Sequence, residues 1–66
     1  MTIGEQIKTR REAAFITQQE LAEAVGVDRS LIARYETGMR IPPLMHAAEI
    51  AKVLGTTVDE LLRGRA

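Results

Sequence analysis

The stretch TQQELAEAVGVDRSLIARYETG, residues 17–38, writes two short amphipathic helices and the bend between them. Thr17 stands three residues ahead of Glu20, the arrangement of a capping box, in which the hydroxyl accepts from the third helical N–H and the carboxylate reaches back to the cap N–H. Leu21, Ala22 and Val25 then recur at helical spacing, and Gly26 follows as a residue able to take the positive φ that ends a helix. Asp28 is placed to cap a second helix, which buries Ile32 and Tyr35 and stops at Gly38. A link of Gly26, Val27 and Asp28 is too short for antiparallel packing, so the two helices must cross steeply. Ala22 and Gly26 are the small residues such a crossing needs, and Leu21, Val25, Val27, Ile32 and Tyr35 supply the wedge of core that fixes its angle.

Outward from this unit the same signals repeat. Thr2 with Glu5 and Thr57 with Glu60 write two further capping boxes, Pro43 suits the first turn of another helix, and Gly55 ends it. The expected architecture is all-α, with five helices near residues 3–14, 18–25, 29–37, 43–54 and 58–63. Ile3, Ile7 and Ala14 mark the buried stripe of the first; Leu44, Ala48, Ala51 and Leu54 mark that of the fourth. Val58, Leu61 and Leu62 close the bundle, and the irregular stretch at residues 38–43 carries Arg40.

Composition narrows the classes. With 66 residues there is room for one domain, residues 1–66, with one modest core and no separate sensor or catalytic unit, so no small-molecule ligand is expected. Without cysteine there is neither disulfide nor thiolate zinc site, and helix packing must supply the stability. Apolar residues are scattered rather than run together, no leader pattern opens the chain, and the expected location is the cytoplasm, away from membranes. No nucleophile with a base, no phosphate-cradling glycine loop and no paired carboxylate in an apolar setting is present, so catalytic, cofactor and metal residues are all expected to be none.

The spacing of Gln18, Ala22, Gly26, Ile32 and Tyr35, with the Ile3 to Arg11 opening helix, the Tyr35-Glu36-Thr37-Gly38 exit and the Asp59-Glu60-Leu61-Leu62 finish, resembles the helix-turn-helix regulators of the lambda repressor and Cro type, the xenobiotic-response-element family. The resemblance implies a five-helix repressor-like domain that binds double-stranded DNA, with a homodimer on a pseudo-palindromic operator and a role as repressor or autoregulator. Size points the same way, because one module reading three or four base pairs cannot single out an operator, and the favoured dimer surface is the C-terminal helix, at Val58, Leu61 and Leu62. By the same resemblance Gln18 meets the DNA backbone and buttresses the recognition helix, and Arg29, Ser30 and Arg34 reach base edges. Arginine favours guanine through a bidentate bond, and Leu31 or Ala33 can touch a thymine methyl. Arg40 and Thr37 fall at phosphate positions, while Arg11 and Glu36 match an ion pair beneath the surface.

Plainer readings stand beside these. The arginines could be phosphate anchors or solvated charge, Gln18 a solvated first-turn residue, and Tyr35 is better placed in the core than on a base. His46 lies alone in sequence and is expected to be exposed without a role; Met39 and Met45 are expected to be packing residues. Nine basic and nine acidic side chains give no net charge, unusual for a nucleic-acid binder, although residues 28–40 hold three arginines against two acids. The sequence departs from the family at Asp28, where a neutral cap is common, and at Ala47, which leaves either tighter packing of the fourth helix or a groove for a partner. A module that binds another protein through that groove or through helix five is the rival class.

Overall fold

The structure, a computed structural model, describes residues 2–64 and holds five helices: α1 (Ile3–Ala13), α2 (Gln18–Val25), α3 (Arg29–Thr37), α4 (Leu44–Val53) and α5 (Val58–Arg63). The molecule is all-α, as the sequence leads one to expect. α1 packs on α3 and α5, and α2 packs on α3 and α4, so α3 is held from two sides while its third side stays open. The centre is made by Ile7, Leu21, Ala22, Ile32, Tyr35 and Ile50, joined by Ala51 and Leu61.

Local chemistry explains most of the helix ends. Two capping boxes form in full: Glu5 N–H donates to the Thr2 hydroxyl at 3.1 Å and Thr2 N–H to the Glu5 carboxylate at 2.8 Å, with the same pair of bonds at Thr17 and Glu20 at 3.0 and 2.9 Å. The hydrogen bonds from Thr2 hold the Glu5 carboxyl below its ordinary pKa. The third box is only half made. Thr57 accepts from Glu60 N–H at 3.1 Å, but the Glu60 carboxylate turns away to the Thr56 hydroxyl at 3.0 Å and to Arg10 at 3.4 Å, partners that sequence spacing alone does not reveal. Asp28 is the α3 N-cap by position, yet its carboxylate makes no cap bond. Pro43 sits at the cap of α4 rather than in its first turn.

Burial corrects the sequence reading in four places. On α4 the inward residues are Ala47, Ile50 and Ala51, while Leu44 and Ala48 are exposed, so the helix is rotated from the stripe that its sequence suggests. Ala47 is 3% exposed, so its small side chain is used for tight packing and no groove opens there. Ala14 likewise lies at the surface. On α5, Leu61 is fully buried and Val58 half-buried against the core, which leaves Leu62 as the open member of the trio expected to face a second copy. Larger exposed apolar side chains sit elsewhere, at Met39, Ile41, Leu44 and Met45 around the α3–α4 loop, and Met39 and Met45 are therefore not packing residues.

Two backbone constraints stand out. A Cβ on Gly4 would lie 2.2 Å from the Tyr35 carbonyl oxygen and 2.8 Å from that of Glu36, so α1 crosses the end of α3 with no room for a side chain. Phe15, in the α1–α2 turn, has φ 58° and is 93% exposed: a bulky residue in the left-handed region with little packing to offset it. Substitutions at these positions should act in opposite directions. Gly4→Ala should lower stability by ~1–3 kcal/mol or more, because backbone cannot yield as a flexible side chain would. Phe15→Asn should raise it by up to ~1 kcal/mol, since Asn enters the left-handed region at lower cost. Urea midpoints of the two variants against the parent check both signs.

Candidate nucleic-acid interface

Each turn of α3 divides inside from outside. Ile32, Tyr35 and Glu36 are buried, while Ser30 and Arg34 are exposed on the opposite side and Arg29 is exposed at the start of the helix, one turn before Ile32. Leu31 and Ala33 are half-buried, and Leu31 spends part of its surface on the core, so its exposed portion alone is open to a ligand. The turn ahead of α3 is set by Gly26, whose φ of 86° ends α2, with Gly26 and Val27 N–H groups both donating to the Ala22 carbonyl at 2.8 and 2.9 Å. That geometry fixes α3 across α2 and presents its arginines away from the bundle.

The loop after α3 is anchored at both ends. Arg40 N–H donates to the Arg34 carbonyl at 3.3 Å, folding the loop back on the last turn of the helix. Beyond it, the Tyr35 hydroxyl and His46 Nδ1 are 2.7 Å apart, tying α3 to the first turn of α4. His46 is thus half-buried with a defined partner, contrary to the expectation of a solitary exposed side chain; eleven residues separate the pair, and no local pattern signals it. Burial raises the Tyr35 pKa, partly opposed by the positive charge of Arg40. Arg40 itself is exposed. Thr37 is exposed too, but its hydroxyl donates to the Arg34 carbonyl at 3.2 Å, so a phosphate would have to compete for that proton.

Beneath α3 lies the Arg11–Glu36 pair. Arg11 Nε donates to one Glu36 carboxylate oxygen at 2.6 Å and Arg11 Nη2 to the other at 3.2 Å, with side-chain exposures of 10% and 2%. The hydrogen bond to Glu36 raises the Arg11 pKa above its ordinary value, against the opposing effect of burial. Arg11 Nη1 also donates to the Ile16 carbonyl at 2.7 Å, which pins the α1–α2 turn. Gln18 completes the set: its Nε2 donates to Glu36 at 3.0 Å and its Oε1 accepts from Arg29 at 3.4 Å. The structure therefore brings Arg11, Glu36, Gln18 and Arg29 into one chain of bonds, whereas Arg34, Thr37 and Arg40 group at the far end of α3. No pattern along the chain signals the Gln18 to Glu36 bond, or the fully buried Gln6, whose Oε1 accepts from Arg10 at 3.1 Å.

Charge follows the same division. Of the two acids in residues 28–40, Glu36 is internal and bonded to Arg11, so the outer surface carries Arg29, Arg34 and Arg40 against Asp28. A chain of zero net charge thus presents a locally basic face. Among the described residues no three His, Cys, Asp or Glu side chains come together as a metal site, and no helix is long and apolar enough to cross a membrane.

Two packed helices joined by the short turn Gly26-Val27-Asp28, the second bearing exposed arginines, inside a five-helix bundle, define a repressor-type helix-turn-helix domain. The sequence profile of the helix-turn-helix family matches residues 7–61, and the chain belongs to that family. It is 34% identical to the HTH-type transcriptional activator BcrR of Enterococcus faecalis over 97% of this chain and 31% of that protein. It is 31% identical to the cryptic phage CTXphi transcriptional repressor RstR of Vibrio cholerae over 92% of this chain and 54% of that protein. The fold matches the P22 c2 repressor protein, solved in complex with a synthetic operator, at a TM-score of 0.93 and 31% identity, covering 98% of each chain. These relatives are regulators of transcription rather than enzymes. The chain spans between about a third and about half of the two curated relatives, 31% and 54% of their lengths.

The ion pair makes a stability prediction. Arg11→Met strands a buried carboxylate and should cost ~3–5 kcal/mol. Lys8→Met, at an exposed site on the same helix, should cost less than ~0.5 kcal/mol. Arg10→Met should fall between them, because Arg10 is bonded to Gln6 and Glu60. Equal denaturation midpoints for the Arg10 and Arg11 variants would defeat the assignment.

Proposed function

We propose that this chain is the DNA-reading module of a transcriptional regulator, working as a homodimer on a two-fold symmetric operator where it represses transcription, its own gene's included. The observation that carries the reading is the two-sided α3: Arg29, Ser30 and Arg34 open outward from a helix whose other face is locked into the core, with Arg40 on the loop that follows. Support comes from the family and from the likeness to a repressor solved on its operator. Such a module works in the cytoplasm, where the DNA is.

In this reading α3 lies in the major groove. Arg34, mid-helix, addresses a guanine through O6 and N7, Arg29 and Ser30 address neighbouring base edges, and the exposed parts of Leu31 and Ala33 meet thymine methyls. Arg40, Thr37 and the first-turn N–H of Gln18 contact phosphates, the last because a helix N-terminus presents unsatisfied donors to an anion. Size argues for two copies. The module is 25 Å in its longest dimension, whereas successive faces of the major groove are ~34 Å apart, so one copy reads one half-site. On α5, Leu62 is the side chain open to a second copy.

Arg34→Ala and Arg40→Ala should fail differently. Loss of the base contact should cost ~1–3 kcal/mol per half-site and blur one base pair of the selected motif. Loss of the phosphate contact should weaken all duplexes alike and flatten the salt slope by about one unit. Selection from a random duplex pool, followed by salt titration, reads both. A footprint confined to one half-site would overturn the dimer, and salt-insensitive binding would overturn the interface.

A further inference from the structure

We propose that Phe15 is a DNA contact in its own right: its ring, at the tip of the α1–α2 turn, packs on the deoxyribose of the strand whose phosphate meets the start of α2. The inference rests on the duplex-DNA reading and adds to it an uncharged contact outside α3 that reads no base.

Phe15 costs the fold something and returns nothing to it. Its φ of 58° lies in the left-handed region, where a Cβ is crowded and glycine is the usual residue at a helix end. The turn is made by main chain: Phe15 N–H donates to the Glu12 carbonyl at 3.0 Å and Ile16 N–H to the Arg11 carbonyl at 3.1 Å, bonds that glycine would make equally well. The ring is 93% exposed, the most open of the large apolar side chains among the described residues, and it takes no part in the core. Strain of this kind, unmatched by packing, points to a role outside the fold.

Position says which surface covers the ring. Phe15 stands three residues before Gln18, at most ~10 Å along the chain, while a strand of duplex advances ~3.4 Å per nucleotide, so a backbone met by Gln18 N–H passes within a few nucleotides of the ring. The two points move as one piece, because the Ile16 carbonyl between them accepts from Arg11 Nη1 at 2.7 Å and Thr17 caps α2. Residues 13–19 carry no charge, so the tip neither repels phosphates nor pairs with them. Its complement on the strand is therefore the sugar, whose carbons lie between the phosphates, and a ring fixed on an ordered turn loses little freedom on contact. A protein partner fits less well: apart from Phe15 the exposed apolar side chains of the turn are Ala13 and Ala14, whereas a stable protein interface buries ~800 Å² on each side. As the margin of a DNA interface, one ring suffices.

The experiment compares the parent with Phe15→Gly, which removes ring and strain, and Phe15→Leu, which keeps apolar bulk. Urea midpoints, selection from a random duplex pool, salt titrations on the best duplex and hydroxyl-radical footprints are read for each. Phe15→Gly should be at least as stable as the parent yet bind every duplex about 3- to 10-fold more weakly per half-site, the scale of exposing part of an aromatic ring. The selected motif and the salt slope should stay as in the parent, and one or two sugars beside the phosphate met by α2 should lose protection from the radical. Phe15→Leu should fall between the two. Parental affinity and footprint in Phe15→Gly would overturn the proposal, and so would a lower urea midpoint, which would show that the ring serves the fold. A changed motif or a flatter salt slope would do the same, by showing a contact to bases or an effect passed on to the phosphate contacts. Weaker self-association of Phe15→Gly off DNA, read by sedimentation, would assign the ring to a second copy instead. A parent that binds no duplex would sink the DNA reading and this inference with it, whereas a parent that binds no better than Phe15→Gly removes the ring contact alone.

Discussion

The Arg11–Glu36 ion pair is the contact on which the rest of this small bundle depends. It lies where α1, α2 and α3 converge, and its hydrogen bonds reach all three. Two run within the pair, one goes to the Ile16 carbonyl that shapes the α1–α2 turn, and one comes from Gln18 at the start of α2. Removing two charges from water is costly, and a pair recovers that cost only when the remaining hydrogen-bonding capacity is also met. That condition holds here, since every buried side-chain nitrogen and oxygen among the described residues has a partner. An apolar replacement could match the pair in packing. It could not at once fix the angle of three helices and the direction of an amide at the surface.

Burying one acid also shapes the electrostatics of the outside. The chain as a whole is neutral, and a summed charge would place it away from nucleic acids. Because Glu36 is internal and compensated by Arg11, the field beyond α3 is set by Arg29, Arg34 and Arg40 against Asp28 alone. The Asp28 carboxylate, without a cap bond, remains a local negative charge at the start of α3. The two ends of that helix therefore differ: the start mixes an acid with Arg29, which donates to Gln18, and the end carries Arg34 and Arg40 joined through the backbone bond at 3.3 Å.

Close approach is the second constraint. Gly4 lets α1 touch the carbonyls that end α3, and Ala22 and Ala47 let α2 and α4 draw near their neighbours. In a core built around eight buried apolar residues, such contacts matter because little other surface is available to hold the angles. The Tyr35 to His46 bond serves the same end for the α3–α4 loop, holding its far end beside α3.

The helices themselves were legible in the sequence, because capping boxes, the Gly26 turn and helical spacing of apolar residues act within a few positions of the chain. The crossing of α2 and α3 and its exposed arginines followed from a three-residue link and a stripe one can count. What local pattern could not decide was which side of α4 faces inward, since Leu44 and Ala48 fit a helical stripe as well as Ala47 and Ile50 do, and packing against α2 and α5 chooses between them. Leu61 and Leu62 are similarly equivalent by composition, and the rotation of α5 on α1 buries one and exposes the other. Partners far apart in the chain, Gln18 with Glu36 and Tyr35 with His46, are set by the tertiary structure because their distance depends on how three helices meet, and no spacing along the sequence encodes it.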